Sequence, residues 1–477
     1  MRTRFIFDWP FFWLNRSEAF ITLFKIFPSH SWFSFLFLAC LVFLVLFGIL
    51  KTILFDLKFK PKRIYFISLA VLFFSGFIIL SLSPLDVNGF LAGFIKKNFF
   101  SDNKIENFYT GEYNNHIINC QLGGGLDPAG LQLDNLGDKI FFIHLESVSS
   151  FLVNERNTPN LFRYSKQGVF FPSFYSSSVQ TIRNEESILC GLPPALKENL
   201  ISGLSWGKID SLSCLPRILE QLGYKTLFFK DDSLNFAHTG DFMSGIGFEE
   251  IHHEDIMHKN DPELPWGFRE DIFFDRVLEY IKSHYANEKI FAYIALSATN
   301  HTPFEINDDR YKTLVPYPAS ENPKQKLANT TFIQDAYVGD FLDDLFLNYP
   351  ENSSFFVFSD QAWPIGIHPN NIYNEQGFYD ENFLTFLLFL PPKNRNDIYE
   401  FDKVVDARYS QMDILPTIFE ILGANNSYFL GNSFAGDIFK ADVLPKPDEE
   451  NSILMIQPYA GGFLAFVDWP EKYVFSI

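Results

Sequence analysis

An α/β fold, with a mostly parallel central sheet flanked by helices and standing behind an N-terminal transmembrane helical region, is what this chain predicts. Three observations carry that expectation. Two apolar runs far apart, Phe141-Phe142-Ile143-His144-Leu145-Glu146-Ser147 and Phe355-Phe356-Val357-Phe358-Ser359-Asp360, each end abruptly in a carboxylate. Strands apolar on both faces belong to covered sheets, and open α/β sheets present ligands to substrate at the carboxyl ends of their strands. From Lys139 onward strand-like and helix-like patterns alternate, as crossover connections between parallel strands require. Residues 32–55, apolar apart from Lys51 and a few hydroxyls, and residues 64–83, which hold no charge, are each long enough to cross a bilayer.

The elements follow in order. The spans at 32–55 and 64–83 are joined by the short basic link Asp56-Leu57-Lys58-Phe59-Lys60-Pro61-Lys62-Arg63, which the positive-inside rule places in the cytoplasm and the rest of the chain on the outer face. Residues 5–28 are aromatic but carry Asp8, Arg16, Glu18 and Lys25, and read as an interfacial segment or a third span. Two long spans and no small-residue cleavage pattern argue against a removed signal peptide. Residues 1–83 thus form a membrane region and 84–138 a connector, with Phe90 to Phe100 as an amphipathic helix on the headgroups. Residues 139–440 form the extracytoplasmic domain, with strands expected at 140–145, 225–229, 290–297, 354–358, 383–390 and 452–456. Helices are expected at 159–167, 181–190, 215–223, 271–284, 329–347 and 410–422. Residues 441–477 read as a short C-terminal β segment, a hairpin that is either minimal or truncated.

The 477 residues carry a net charge of −19 although the membrane region is basic. An outer part that acidic argues against nucleic acid as a partner. Of the four cysteines, Cys190 and Cys214 flank one loop and could pair in an oxidising compartment. Between the two acid-tipped strands, Val179-Gln180-Thr181-Ile182-Arg183-Asn184-Glu185-Glu186 sets a hydroxyl at a helix start. A threonine hydroxyl becomes a nucleophile once a metal or a base takes its proton, and a helix N-terminus favours an incoming anion. The alternative for Thr181 is an ordinary N-cap with Glu185 closing a capping box. For Glu146 and Asp360, buried by their strands, the alternative is an ion pair with an arginine. Arg183 pairs either with a substrate phosphate or with Glu186. His252-His253-Glu254-Asp255 reads as a solvated loop.

Four stretches in this order resemble the alkaline phosphatase and sulfatase superfamily, and within it the lipoteichoic acid synthase-like phosphoglycerol transferases. They are His144-Leu145-Glu146-Ser147 followed by Thr158-Pro159-Asn160-Leu161; Gln180-Thr181-Ile182-Arg183 through Gly191-Leu192-Pro193-Pro194; Asn300-His301-Thr302-Pro303-Phe304; and Ser410-Gln411-Met412-Asp413-Ile414-Leu415-Pro416-Thr417. The resemblance covers roughly residues 138–440. It implies one divalent cation held by Glu146, Thr181, Asp360 and the residue after Asp360, with Mn²⁺ foremost and Mg²⁺, Ca²⁺ or Zn²⁺ as alternatives. It implies Thr181 as nucleophile, His301 as a catalytic group at the substrate phosphate, and His368 and Arg183 as substrate-binding residues. The implied activity moves phosphoglycerol from a membrane phospholipid donor to a glycan or glycerophosphate acceptor at the plasma membrane. Phosphoethanolamine transfer and phosphodiester hydrolysis are the enzymatic alternatives. Where the family has Asp-His, this chain has Asp360-Gln361. An amide is a weaker ligand for a transition metal than imidazole, which motivates a further alternative, a non-catalytic tethered binder of glycan or lipid.

Overall fold

The computed structural model describes residues 130–194, 212, 214–369, 371, 377–424, 429, 431–441, 443–444, 451–459 and 463–476. The two apolar spans, the 5–28 segment and most of the connector lie outside these residues. No helix among the described residues is long and apolar enough to cross a membrane.

In chain order the elements are β1 (Lys139–Leu145), α1 (Pro159–Ser165), β2 (Val169–Tyr175), α2 (Thr181–Cys190), α3 (Leu215–Gln221), β3 (Lys225–Lys230), α4 (Thr239–Ile246) and β4 (Glu250–His252). They continue with β5 (Glu263–Leu264), β6 (Gly267–Phe268), α5 (Glu270–His284), β7 (Ile290–Ala295), α6 (Pro323–Asn348), β8 (Ser353–Ser359), α7 (Asp380–Phe383) and β9 (Leu384–Leu390). Last come β10 (Lys403–Val404), β11 (Tyr409–Ser410), α8 (Ile414–Ile421), α9 (Ala435–Ile438), β12 (Ile453–Gln457), β13 (Phe463–Asp468) and β14 (Glu471–Ser476). The main sheet runs β10-β2-β9-β8-β1-β7-β3-β4, with β11 beside β2. Parallel pairing joins β8, β1, β7, β3 and β4. β9 is antiparallel to both β8 and β2, so the sheet is mixed. The 383–390 strand therefore exists, but against the parallel direction.

Every residue of β1 and β8 is buried, because alternate side chains enter two separate cores. Ile140, Phe142, Phe228, Tyr293 and Phe356 join α2, α3, α4, α8 and α9 on one face. Phe141, Ile143, Phe229, Ala292 and Val357 join α1, α5 and α6 on the other. Double coverage is why these strands read as unbroken apolar runs.

β2 escaped the sequence reading. Its run Val169-Phe170-Phe171-Pro172-Ser173-Phe174-Tyr175 contains a proline, which argues against a ladder strand. The chain accommodates it with a register shift between Phe171 and Phe174. α6 begins six residues before the expected 329, where the Asn322 side chain accepts from the Lys324 amide and Pro323 occupies the first turn. The predicted C-terminal hairpin is present as β13–β14, and Ile453, Met455, Ala465 and Val467 pack it on Tyr175, Val179 and Phe383.

Cys190 ends α2 and Cys214 caps the start of α3, and the two are joined in a disulfide. The bond ties the far end of α2 to the segment leading into β3. Closing a loop with a sequence separation of 24 stabilises the fold by about 3 kcal/mol on chain-entropy grounds. Cys214→Ser should lower the melting temperature, and dithiothreitol should lower that of the parent protein while leaving the variant unmoved.

Candidate active site

β1 and β8 are adjacent and in register, with Leu145 opposite Ser359, so the next residues, Glu146 and Asp360, leave the sheet together. Ser147 turns the chain with a positive φ of 55°. Its amide donates to Asp360 Oδ1 at 2.9 Å and its hydroxyl to Glu146 Oε1 at 2.5 Å. The Gln361 amide N–H also donates to Asp360 Oδ1, at 2.6 Å, and its side-chain Nε2 to Glu146 Oε1 at 3.3 Å. Thr181 Oγ1 donates to Asp360 Oδ2 at 2.7 Å. Glu146, Thr181, Asp360 and Gln361 therefore meet in one cluster.

Thr181 is the first residue of α2, and Gln180 before it is extended and makes no side-chain cap. The capping-box alternative is thereby excluded: the threonine hydroxyl faces Asp360 instead of its own helix. From Ile182 to Cys190 every residue of α2 is buried, leaving Thr181 half-buried at the open end. The N-terminus of α2, with Thr181 at its first position, is the positive end of the helix and favours an anion.

Both acids are fully buried. Burial pushes the Glu146 carboxyl up to about 7. It pushes Asp360 well above the usual carboxylate range, and the neighbouring Glu146 charge raises it further. Among the described residues neither acid pairs with an arginine. Lys230, at the end of β3, is the cation whose field reaches Glu146. Two carboxylates and a hydroxyl form an oxygen donor set that the Gln361 side chain would complete by turning its amide oxygen inward, and two buried acids that repel each other are the electrostatic deficit a hard divalent ion fills. The residues present fit such an ion. Among the described residues no three histidine, cysteine, aspartate or glutamate side chains cluster as a metal site. A cation here would need Thr181 and Gln361 among its ligands.

The other expected residues have partners of their own. His301 follows Asn300, whose side-chain Nδ2 donates to the Glu146 carbonyl at 2.8 Å. The His301 ring stacks on Trp266 at 3.8 Å. The Arg183 side chain is buried and its Nε donates to Gln180 Oε1 at 2.5 Å. His368 does not join the cluster: its ring stacks on Tyr379 at 3.9 Å and its Nδ1 lies 3.2 Å from Glu381 Oε1, so it does not replace the missing ligand histidine. His252 is buried at the end of β4, with Nδ1 2.6 Å from Asp255 and Nε2 3.2 Å from Glu250. The solvated-loop reading fails for that ring, and its carboxylate neighbours account for it without a metal.

Two groups escaped the sequence reading, and a third, Glu185, was read only as a cap. Ser147 ties the two acids. Gln411 Nε2 clamps the carbonyls of Ser359 and Asp360 at 3.1 and 2.7 Å, and the Gln411 Oε1 accepts from the Ser177 amide. Glu185, one turn beyond Thr181, is fully buried and neither carboxylate oxygen is hydrogen-bonded. Its Oε1 lies 4.0 Å from His144 Nδ1, and burial pushes its carboxyl up to about 7. Ser147 and Gln411 sit inside quoted motifs, so their positions were visible. Their partners were not.

Residues 134–424 match the sulfatase family model, and the chain belongs to that family. It is 21% identical over 325 residues to the lipoteichoic acid synthase-like protein YvgJ of Bacillus subtilis (strain 168). The match spans 65% of this chain and about half, 51%, of that relative. The fold is similar to an alkaline phosphatase superfamily protein of Vibrio parahaemolyticus (TM-score 0.56, 18% identity, 78% of this chain and 88% of that one). It is also similar to the lipoteichoic acid synthase LtaP of Listeria monocytogenes (TM-score 0.55, 16% identity, 76% and 90%). The C-terminal periplasmic domain of EptC from Escherichia coli is a third likeness (TM-score 0.52, 16% identity, 70% and 93%).

A carboxyl whose folded pKa is raised favours folding below its unfolded pKa, and that advantage is lost as pH rises through the folded value. For Glu146 the window runs from about 4.5 to about 7, worth on the order of 3 kcal/mol. Chelated protein should therefore lose melting temperature between pH 5 and pH 8, and Glu146→Gln should flatten that slope. A parallel slope in the variant would show that Glu146 does not titrate in this window.

Proposed function

We propose that this protein is a membrane-anchored phosphoglycerol transferase, with Thr181 carrying the group between a phospholipid donor and a glycan or glycerophosphate acceptor. One observation carries the reading: the Thr181 hydroxyl, at an open helix N-terminus, is bonded to Asp360 within the cluster that Glu146 and Gln361 complete. Family membership supports phosphoryl or sulfuryl chemistry at that hydroxyl. A divalent cation, Mn²⁺ foremost, held by Glu146, Thr181, Asp360 and Gln361, would supply charge neutralisation at the phosphate and acidify the hydroxyl.

In the first step Thr181 Oγ1 bonds to the headgroup phosphorus and passes its proton towards Asp360. The phosphorus–oxygen bond to diacylglycerol breaks, and His301 protonates the departing oxygen. In the second, an acceptor hydroxyl attacks the same phosphorus and gives its proton to His301. Thr181 leaves and recovers its own proton. The α2 N-terminus favours the phosphate in both steps. The apolar spans at 32–55 and 64–83 would hold the site at the bilayer surface where the donor lies. The Cys190–Cys214 disulfide accords with an oxidising, extracytoplasmic compartment.

Gln361 favours a second reading, a non-catalytic binder of lipid or glycan, because its amide N–H already bonds Glu146. Metal titration separates the two: a catalytic site takes up one equivalent of Mn²⁺ or Mg²⁺, whereas a degenerate one stays empty in excess. Incubation with headgroup-labelled phosphatidylglycerol should place label on Thr181 and then on glycan or glycerophosphate. Thr181→Ala should lower turnover by roughly a thousandfold or more and abolish the adduct. A phosphoethanolamine mass on Thr181, or label released only to water, would replace phosphoglycerol transfer with the corresponding transferase or hydrolase.

A further inference from the structure

Beyond the cluster, a second pair of fully buried acids stands at the same edge of the sheet. Asp231 follows β3 and Glu270 opens α5, and both are 0% exposed. Between them passes the segment that leaves β7, residues 297–300. Past the end of the strand its N–H groups have no ladder partner and must be satisfied some other way. Asp231 Oδ2 accepts from the amides of Ser297 and Ala298, each at 2.9 Å. Glu270 Oε1 accepts from the amide of Thr299 at 3.0 Å and from Gln334 Nε2 at 3.1 Å. The next residue, Asn300, holds the Glu146 carbonyl and accepts from Thr330 Oγ1 at 2.6 Å. Then comes His301, stacked on Trp266, whose Nε1 donates to the Thr302 carbonyl at 3.0 Å. Trp266 is fixed in turn by Gly267 (φ +135°), where a Cβ would stand 2.5 Å from the Asp231 carbonyl oxygen.

Neutral amides could accept the same backbone hydrogen bonds without the cost of burying charge. The chain instead uses two carboxylates, and Asp231 Oδ1 is buried without a hydrogen-bond partner. We propose that Asp231 and Glu270 are positioning residues that together set segment 297–301, so that His301 and Glu146 keep their places relative to each other. The charges around the pair are mostly negative. Asp232 follows Asp231 on the chain, Asp271 follows Glu270 on α5 and is tied to Arg269 and Arg310, and Glu146 lies within the field of Glu270. Gln334, from α6, is neutral. Burial, with the partner's charge adding to it at Asp231, raises both carboxyls. Ionisation of both acids at alkaline pH therefore sets two buried charges against each other and loosens the segment.

The function of this pair rests on the reading of His301 as the group at the leaving oxygen, but its test does not. The His301 ring is followed by NMR in the metal-loaded protein, assigned through His301→Gln, in Asp231→Ala, Asp231→Asn and Glu270→Gln. Asp231→Ala should move the His301 resonance, while Asp231→Asn, which keeps the acceptor oxygen, should restore it and abolish its drift above pH 7. In turnover, Asp231→Ala should lower kcat roughly tenfold with KM unchanged, and Asp231→Asn should return the rate and extend the alkaline limb. If Asp231→Ala fails to fold, the Asn and Gln variants carry the test through the pH drift alone. A His301 resonance indifferent to every variant, or a drift that persists in Asp231→Asn and Glu270→Gln, overturns the proposal. NMR coupling in a protein that transfers no headgroup would reject the transferase reading and leave this one standing.

Discussion

The register between β1 and β8 is the constraint on which the site depends. Because Leu145 stands opposite Ser359 in a parallel pair, two carboxylates separated by more than two hundred positions emerge at the same height, and a slip of one residue would turn either acid into the core. The aromatic packing that fixes this register is extensive: Phe142 meets Phe291, Phe356 and Phe358 with ring centroids 4.8–5.6 Å apart. The apolar runs are thus both the core and the ruler that places the chemistry.

Around that edge, the chain fastens each loop with a polar side chain brought from elsewhere. Gln411 holds the backbone at Ser359 and Asp360, and Asn300 holds it at Glu146. Asp231 and Glu270 do the same for the end of β7. Irregular segments at strand ends carry orphaned amides and carbonyls, and in a buried setting each needs a fixed partner. The result is a site whose geometry does not rely on loop stiffness.

Most of the sheet was legible because its strands are buried on both faces and announce themselves as unbroken runs. Glu146 and Asp360 were legible for the same reason: an acid that ends such a run is conspicuous. Thr181 could be named but not decided, since a helix-start hydroxyl satisfies a cap and a catalytic role equally well in sequence. The contact with Asp360 removes the cap and leaves the hydroxyl in the acid cluster. β2 was hidden by Pro172, and the direction of β9 depends on pairing that no local pattern encodes. His368 follows Asp360-Gln361 closely in sequence, yet its ring rests on Tyr379 and beside Glu381 and not against Asp360. Proximity in sequence says little once a loop has its own anchors.

Ser147 has a conformation that few residues tolerate. Its backbone lies in the left-handed region, where a Cβ is disfavoured and a branched one strongly so, while its hydroxyl is needed by Glu146. Glycine would relieve the backbone and lose the hydroxyl; threonine would keep the hydroxyl and aggravate the backbone. The position thus leaves little room for neutral drift, since an exchange that suits the turn forfeits the contact and one that keeps the contact burdens the turn.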